Sequence, residues 1–126
     1  MTHAFLLMGA IFGMLAVAFG AFGAHALKSL LESSGRIDTF ETAVKYQFYH
    51  AFGILACGIL FKEFNNKKML WAPRLFVAGI IIFSGSLYAL ALLLPDYRFL
   101  GAITPLGGLS FIGGWLLLFG AFVDKK

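Results

Sequence analysis

The chain has 126 residues, 60% of them hydrophobic and 13% charged, with a mean hydropathy of +0.88. A soluble domain carries about 25% charged residues, so this one lacks the polar groups to cover a globule in water, and its solvent is lipid. The formal charge of +4 does not indicate nucleic acid, because the basic residues are scattered over the gaps between apolar runs, with no stripe and no aromatic-interleaved patch; basic residues flanking membrane spans favour cytoplasmic loops and anionic headgroups.

Residues 4–24 carry no charge. About 20 apolar residues cross ~30 Å of hydrocarbon, so this run is read as a first span. Ala24-His25-Ala26 imitates a signal-peptide cleavage site. No Lys or Arg precedes the run, however, and it exceeds the usual ~7–15 apolar residues, so it is expected to be retained. Residues 26–37 turn polar, with Leu27, Leu30 and Leu31 at helical spacing. This predicts a short amphipathic segment at the interface, ended by Gly35 in the left-handed conformation.

Asp38 and Glu41 have the N-cap and N3 spacing of a capping box, and Glu41–Lys45 is a favourable i, i+4 pair. The helix they open is expected to supply a second span over about 42–61. Its uninterrupted apolar part is short; Lys45 can snorkel, and Lys62, Lys67 and Lys68 mark the exit. Cys57 is the single cysteine, so it has no intrachain disulfide partner and reads as a small packing residue. A third span is expected over 72–94, with Pro73 at N1. A short turn over 95–101 makes the third and fourth spans antiparallel neighbours. The fourth covers 102–122, where Thr104-Pro105 is either N-cap and N1 or a kink one turn inside. The expectation is a single membrane domain over 1–126: an all-α, integral membrane four-helix transmembrane bundle with an interfacial segment after the first span.

Four spans put both termini on one side. Lys62, Lys67, Lys68, Arg74, Lys125 and Lys126 share that side, against Lys28, Arg36, Lys45 and Arg98 opposite. Six against four favours cytoplasmic termini. In the first span Gly9, Gly13, Ala16, Gly20 and Gly23 follow steps of 4, 3, 4 and 3, which keeps small residues on one face as a helix-packing seam. Gly85-x-x-x-Ala89 and Ser110-x-x-x-Gly114 repeat the theme in the later spans. A chain with four spans has much outer surface for its volume, which suits a homo-oligomer.

The polar side chains fall on the side away from the termini. His25 ends the first span there. Tyr46, Gln47 and His50 share a helix face through i, i+3 and i, i+4 spacing, as do Ser84 and Tyr88, with Ser86 close by and Thr104 opening the fourth span. Polar side chains in hydrocarbon turn inward and find partners. His25, Tyr46, Gln47, His50, Ser84, Ser86, Tyr88 and Thr104 are therefore expected to form a polar pocket or hydrogen-bond cluster in one leaflet, over an inner half of Phe, Leu, Ile, Ala and Gly.

"GAFGAH" (20–25), "YQFYH" (46–50), "FSGSLY" (83–88) and "ITPLGG" (103–108) resemble, in order, the signature blocks of a family of small membrane proteins. It is domain of unknown function 423, the YgdD-like group, with transmembrane protein 256 as a eukaryotic relative. The resemblance covers nearly the whole chain and implies a four-span protein of the bacterial cytoplasmic (inner) membrane. It brings no activity, cofactor or catalytic residue.

Haem or metal held by His25 and His50 needs matching depth, and His50 is deeper; no carboxylate is placed to orient either ring. Ser84 or Ser86 with His50 supplies a nucleophile and a base without the third group of a triad. Transport needs polar stepping stones across the membrane, and the inner half has none. The expectation is thus no enzyme, no cofactor and no metal. It is a binding or interaction module in contact with membrane lipids, taking a membrane-protein partner or a small lipid-like ligand, with no nucleic-acid partner. The alternative is an oligomeric channel or small transporter.

Overall fold

A computed structural model describes residues 2–93 and 99–125. Among these the chain forms five helices: α1 (Thr2–Ala24), α2 (Lys28–Ser34), α3 (Ile37–Leu60), α4 (Lys67–Leu93) and α5 (Phe99–Val123). There is no strand among the described residues. Three of the helices, α1, α4 and α5, are long and apolar enough to cross a membrane. With 24 residues, α3 extends about 36 Å and is long enough as well. Its Tyr46-Gln47-Phe48-Tyr49-His50 segment, immediately after Lys45, makes it too polar to join the other three.

The helices start earlier than the apolar runs because caps and turns, not hydropathy, decide where the backbone winds. Gly35 ends α2 at φ 69°, with Gly35 N–H bonded to Glu32 O and Arg36 N–H to Leu31 O, the paired bonds of a Schellman turn. That turn delivers the chain directly into α3, so Arg36 holds the N-cap position and Asp38 lies in the first turn. The expected capping box is replaced by a carboxylate acting on the helix dipole. Asn66 caps α4: its side chain accepts from Met69 N–H at 3.0 Å, and its Nδ2 donates to Ala121 O at 3.1 Å. Pro73 is consequently buried in the seventh position of α4 rather than at N1. Pro105 lies within α5, which begins at Phe99, so Thr104 is an interior residue and not an N-cap. The proposed turn over 95–101 lies outside the described residues except at 99–101, which are helical; residue 94, the expected end of the third span, is outside as well.

Two antiparallel pairs make the bundle, α1 on α3 and α4 on α5, and α3 on α4 joins them. Close approach requires small residues at the crossings. A Cβ on Gly9 would meet Leu55 Cγ at 2.6 Å, and one on Gly23 would meet the Phe40 ring; Ala16 between them is fully buried. These three make the α1 seam, and its partner is α3 of the same chain. Gly20 reaches only van der Waals distance of Val44, and a Cβ on Gly13 would have nothing within 4 Å. At about 100° per residue, Gly13 lies about 80° round from Gly23, off the line where α3 crosses. Five residues share the small-residue face, and three of them touch the neighbour closely.

Two apolar clusters hold the ends. Phe5, Ile54, Cys57, Met69, Ala72, Phe76, Leu118 and others pack towards the termini. Leu31, Phe40 and Ala91 pack at the opposite end, beneath α2. At the termini end, Lys68–Asp124 at 2.7 Å and Lys125–Glu63 tie the α3–α4 loop and the start of α4 to the end of α5. α4 widens into two π-helical turns, Ile80–Ser84 at the edge of the first cluster and Ala89–Leu93 within the second. Such turns are rare and mark places where a helix is locally re-aimed.

Candidate functional site

Gln47 is the centre of the polar layer. It is 2% exposed, and α3 turns it towards both neighbouring helices. Its Nε2 donates to Phe12 O of α1 at 2.8 Å. Its Oε1 accepts from the Tyr88 hydroxyl of α4 at 2.7 Å. The Tyr88 ring is held edge-on by Phe19 and Phe40, with centroids 4.9 and 5.4 Å away. One amide therefore clasps three helices.

His50, one turn further along α3, is 4% exposed. Its ring lies flat on Phe111 of α5, with centroids 3.5 Å apart and planes 8° off parallel. Trp115 Nε1 donates to His50 Nε2 at 3.0 Å. An indole N–H is only a donor, so Nε2 must be the bare nitrogen, and Nδ1 carries the proton that goes to Tyr46 O at 2.7 Å. The hydrogen bonds thus fix one tautomer of a neutral imidazole, with both nitrogens occupied. Trp115 itself is 45% exposed; its ring faces outward and its N–H inward.

The hydroxyls complete the layer. Ser84, fully buried in the first π-helical turn, donates to Ala43 O of α3 at 2.8 Å. Ser86 and Thr104 join α4 to α5 at 2.6 Å. Each has one proton, so one donates to the other and the other to its own helix, Ser86 to Phe83 O or Thr104 to Leu100 O. Ser110 of α5 donates to Leu75 O at 2.7 Å. No buried side-chain nitrogen or oxygen among the described residues lacks a partner.

Of the eight residues singled out from the sequence, Tyr46, Gln47, His50, Ser84, Ser86, Tyr88 and Thr104 lie in or beside this layer. Tyr46 contributes its carbonyl and a ring packed on Phe83, with centroids at 4.6 Å. His25 does not join them. It follows the end of α1 on the exposed surface, too far along α1 to reach the level of Gln47. The depth of His50 also changes. Because α3 begins at Ile37, His50 stands about 20 Å along it, near mid-helix, and the polar groups form a middle layer instead of an outer half. Trp115 and Phe111 were missed by reasoning on hydroxyls and histidines. The available signal was the indole N–H, which seeks a partner wherever it is taken out of water.

The arrangement holds helices together; it leaves no nucleophile with a free base and no ring nitrogen for a metal. No group of three or more His, Cys, Asp or Glu among the described residues is placed to hold a metal ion. Trp115→Phe keeps an aromatic ring, smaller than the indole, and removes the donor, so His50 Nε2 loses its partner. Thermal melts in detergent should show a loss of about 1 kcal/mol, with unchanged helix content; an unchanged melt would mean the bond contributes nothing.

The open space lies beside this layer. A cleft of about 510 Å³ runs between the end of α1, α2 and the start of α3, with Gly20, Gly23, Val44 and Phe40 on its walls and Lys28, Glu41 and Lys45 around it. A second, almost wholly apolar hollow of about 390 Å³ lies between α1 and α4, and Phe40 borders both.

A sequence family described as Protein of unknown function (DUF423) matches residues 19–108, a range that holds all four blocks noted above. A UPF0382 membrane protein of Staphylococcus haemolyticus is 46% identical over 114 residues, covering 90% of each chain. The UPF0382 membrane protein YwdK of Bacillus subtilis is 40% identical over 115 residues, 90% of this chain and 91% of its own. The UPF0382 inner membrane protein YgdD of Escherichia coli is 37% identical over 128 residues, 100% of this chain and 95% of its own. No solved structure matches.

Proposed function

Because the chain belongs to the DUF423 family of membrane proteins, a family of unknown function, we propose from its geometry that it is a four-span, non-enzymatic binding module of the bacterial inner membrane. Its site, in this reading, is the cleft between α1, α2 and α3. Three apolar helices make it a multi-pass membrane protein. Counting α3 as a fourth span is supported by its length and by the inward turn of Gln47 and His50, whose polar atoms are spent on Phe12, Tyr88, Tyr46 and Trp115. A polar side chain satisfied by neighbouring helices no longer opposes insertion. Four spans then place both termini at the more basic, cytoplasmic end.

One observation carries the binding reading: the polar layer is closed on itself, while the cleft beside it is open and carries charged groups. A site that must exchange a ligand needs both. A transporter needs a polar path from side to side, and the core does not offer one, since Phe76, Met69, Ile54 and Cys57 pack fully buried below His50. A channel would have to run along the axis of an oligomer.

The test is native mass spectrometry of the protein in mild detergent. The wild type should carry a co-purified small molecule or lipid. Gly20→Leu, which fills the cleft from the wall opposite Val44 Cγ1 (3.4 Å from where its Cβ would stand), should lose it while keeping the wild-type melting temperature. Should Gly20→Leu melt early, Val44→Phe fills the same space from α3. Identical retention in the wild type and the filled variants would reject the cleft as the site.

A further inference from the structure

We propose that the cleft receives a phosphatidylethanolamine-type lipid, its phosphate against Lys28 and Lys45 and its primary ammonium against Glu41. This rests on the binding reading above and names the ligand class.

The place selects a lipid. The cleft lies where α1 ends, α2 runs across and α3 begins, the level at which charged side chains first appear on the bundle and headgroups lie against it. Its walls are Gly20, Gly23, Val44 and Phe40. Gly20 and Gly23 add no side chain of their own to the apolar walls that Val44 and Phe40 form, and such walls suit an acyl chain and are of no use to a free phosphate.

The charges select the headgroup. Lys28 stands on α2, and Lys45 and Glu41 on α3, around the same space. Among the described residues the ion-pair partner of Lys28 is Glu32, at a long 4.0 Å and well exposed, and Glu41 and Lys45 enter no ion pair there. Two ammonium groups and one carboxylate complement a phosphate plus an amine. Phosphatidylglycerol supplies the phosphate but leaves Glu41 beside added negative charge. Phosphatidylcholine supplies both signs, yet its quaternary nitrogen has no N–H to give a carboxylate. The cleft therefore ranks the three lipids with the primary amine first.

The experiment titrates the protein in dodecyl maltoside with dioleoyl phosphatidylethanolamine, phosphatidylglycerol and phosphatidylcholine and reads bound lipid by native mass spectrometry. Phosphatidylethanolamine should bind about tenfold more tightly than the other two, the difference made by one charge-assisted contact. Glu41→Gln, an exposed and isosteric change, should abolish that preference over phosphatidylglycerol. Lys45→Gln should weaken both lipids alike. Free phosphoethanolamine at the same concentration should not displace the lipid; displacement would overturn the lipid as the source. Tighter binding of phosphatidylglycerol, or a preference untouched by Glu41→Gln, would overturn the headgroup assignment, and the cleft reading would survive if Gly20→Leu still released the lipid. Equal retention of all three lipids in the wild type and in Gly20→Leu means annular lipid only, and both readings fall together.

Discussion

Gly107→Ala is expected to lower the stability of the bundle by about 3 kcal/mol or more, the upper range for overpacking a close-packed interior. A Cβ at Gly107 would stand 2.8 Å from Phe83 Cα and closer still to Phe83 N. Backbone of a neighbouring helix has no rotamer to yield, so α4 and α5 must part. The contact sits at the first π-helical turn, Ile80–Ser84. A turn wound more widely than an α-turn carries the Phe83 backbone towards α5, and only a glycine there leaves room. The damage should spread to the polar layer, since the Phe83 ring packs on both Tyr46 and Phe111, and Phe111 supports His50. Gly101→Ala on the same helix is the control. Its Cβ would meet nothing within 4 Å, and alanine is the better helix former by up to about 1 kcal/mol. Unfolding both variants with SDS from mild detergent micelles separates the two effects. Equal midpoints would show that the α4–α5 crossing tolerates a methyl group, contrary to the geometry.

The second large effect is expected at Gln47→Leu, which keeps the volume and removes the clasp. Two interhelical hydrogen bonds are lost, each worth about 0.6–1.7 kcal/mol in a membrane protein. The Tyr88 hydroxyl also loses its acceptor in a place walled by Phe19 and Phe40, and an orphaned polar group costs about 1–3 kcal/mol. The sum is about 2–6 kcal/mol. Tyr88→Phe gives the discriminating measurement. In the wild type it should destabilise; in the Gln47→Leu background it should be neutral or stabilising, because it removes the orphaned group. A double-mutant cycle that closes additively would mean that Gln47 and Tyr88 do not act through their bond.

Much of this was legible from residue order. A lipid solvent followed from hydropathy, and the end of α2 from Gly35, the one residue with positive φ among those described. The grouping of Tyr46, Gln47, His50, Ser84, Ser86, Tyr88 and Thr104 followed from helical spacing and from the need of a polar side chain in lipid for a partner. Their pairing did not. Gln47 bonds a main-chain carbonyl of Phe12, 35 positions away in sequence, and every residue carries such a carbonyl, so none is marked in the sequence. Nor was the pairing of Trp115 with His50, 65 positions apart, since it depends on α3 and α5 lying side by side with matching rotation. The double duty of Asn66 as cap of α4 and donor to Ala121 O needs both helix ends in place.

The glycines divide in the same way. Spacing put Gly9, Gly13, Ala16, Gly20 and Gly23 on one face, because the α-helical period is a property of the chain itself. Which of them touch a neighbour depends on the line along which α3 crosses, and that line is set by side-chain volumes on both helices at once. Sequence alone therefore determined the solvent, the helices and the face each residue occupies, all of which follow from local backbone geometry and transfer from water. Tertiary structure alone decided the partners, the tautomer of His50, the crowding at Gly107 and the cleft at α2, because each is a relation between segments distant in the chain, set by how whole helices pack.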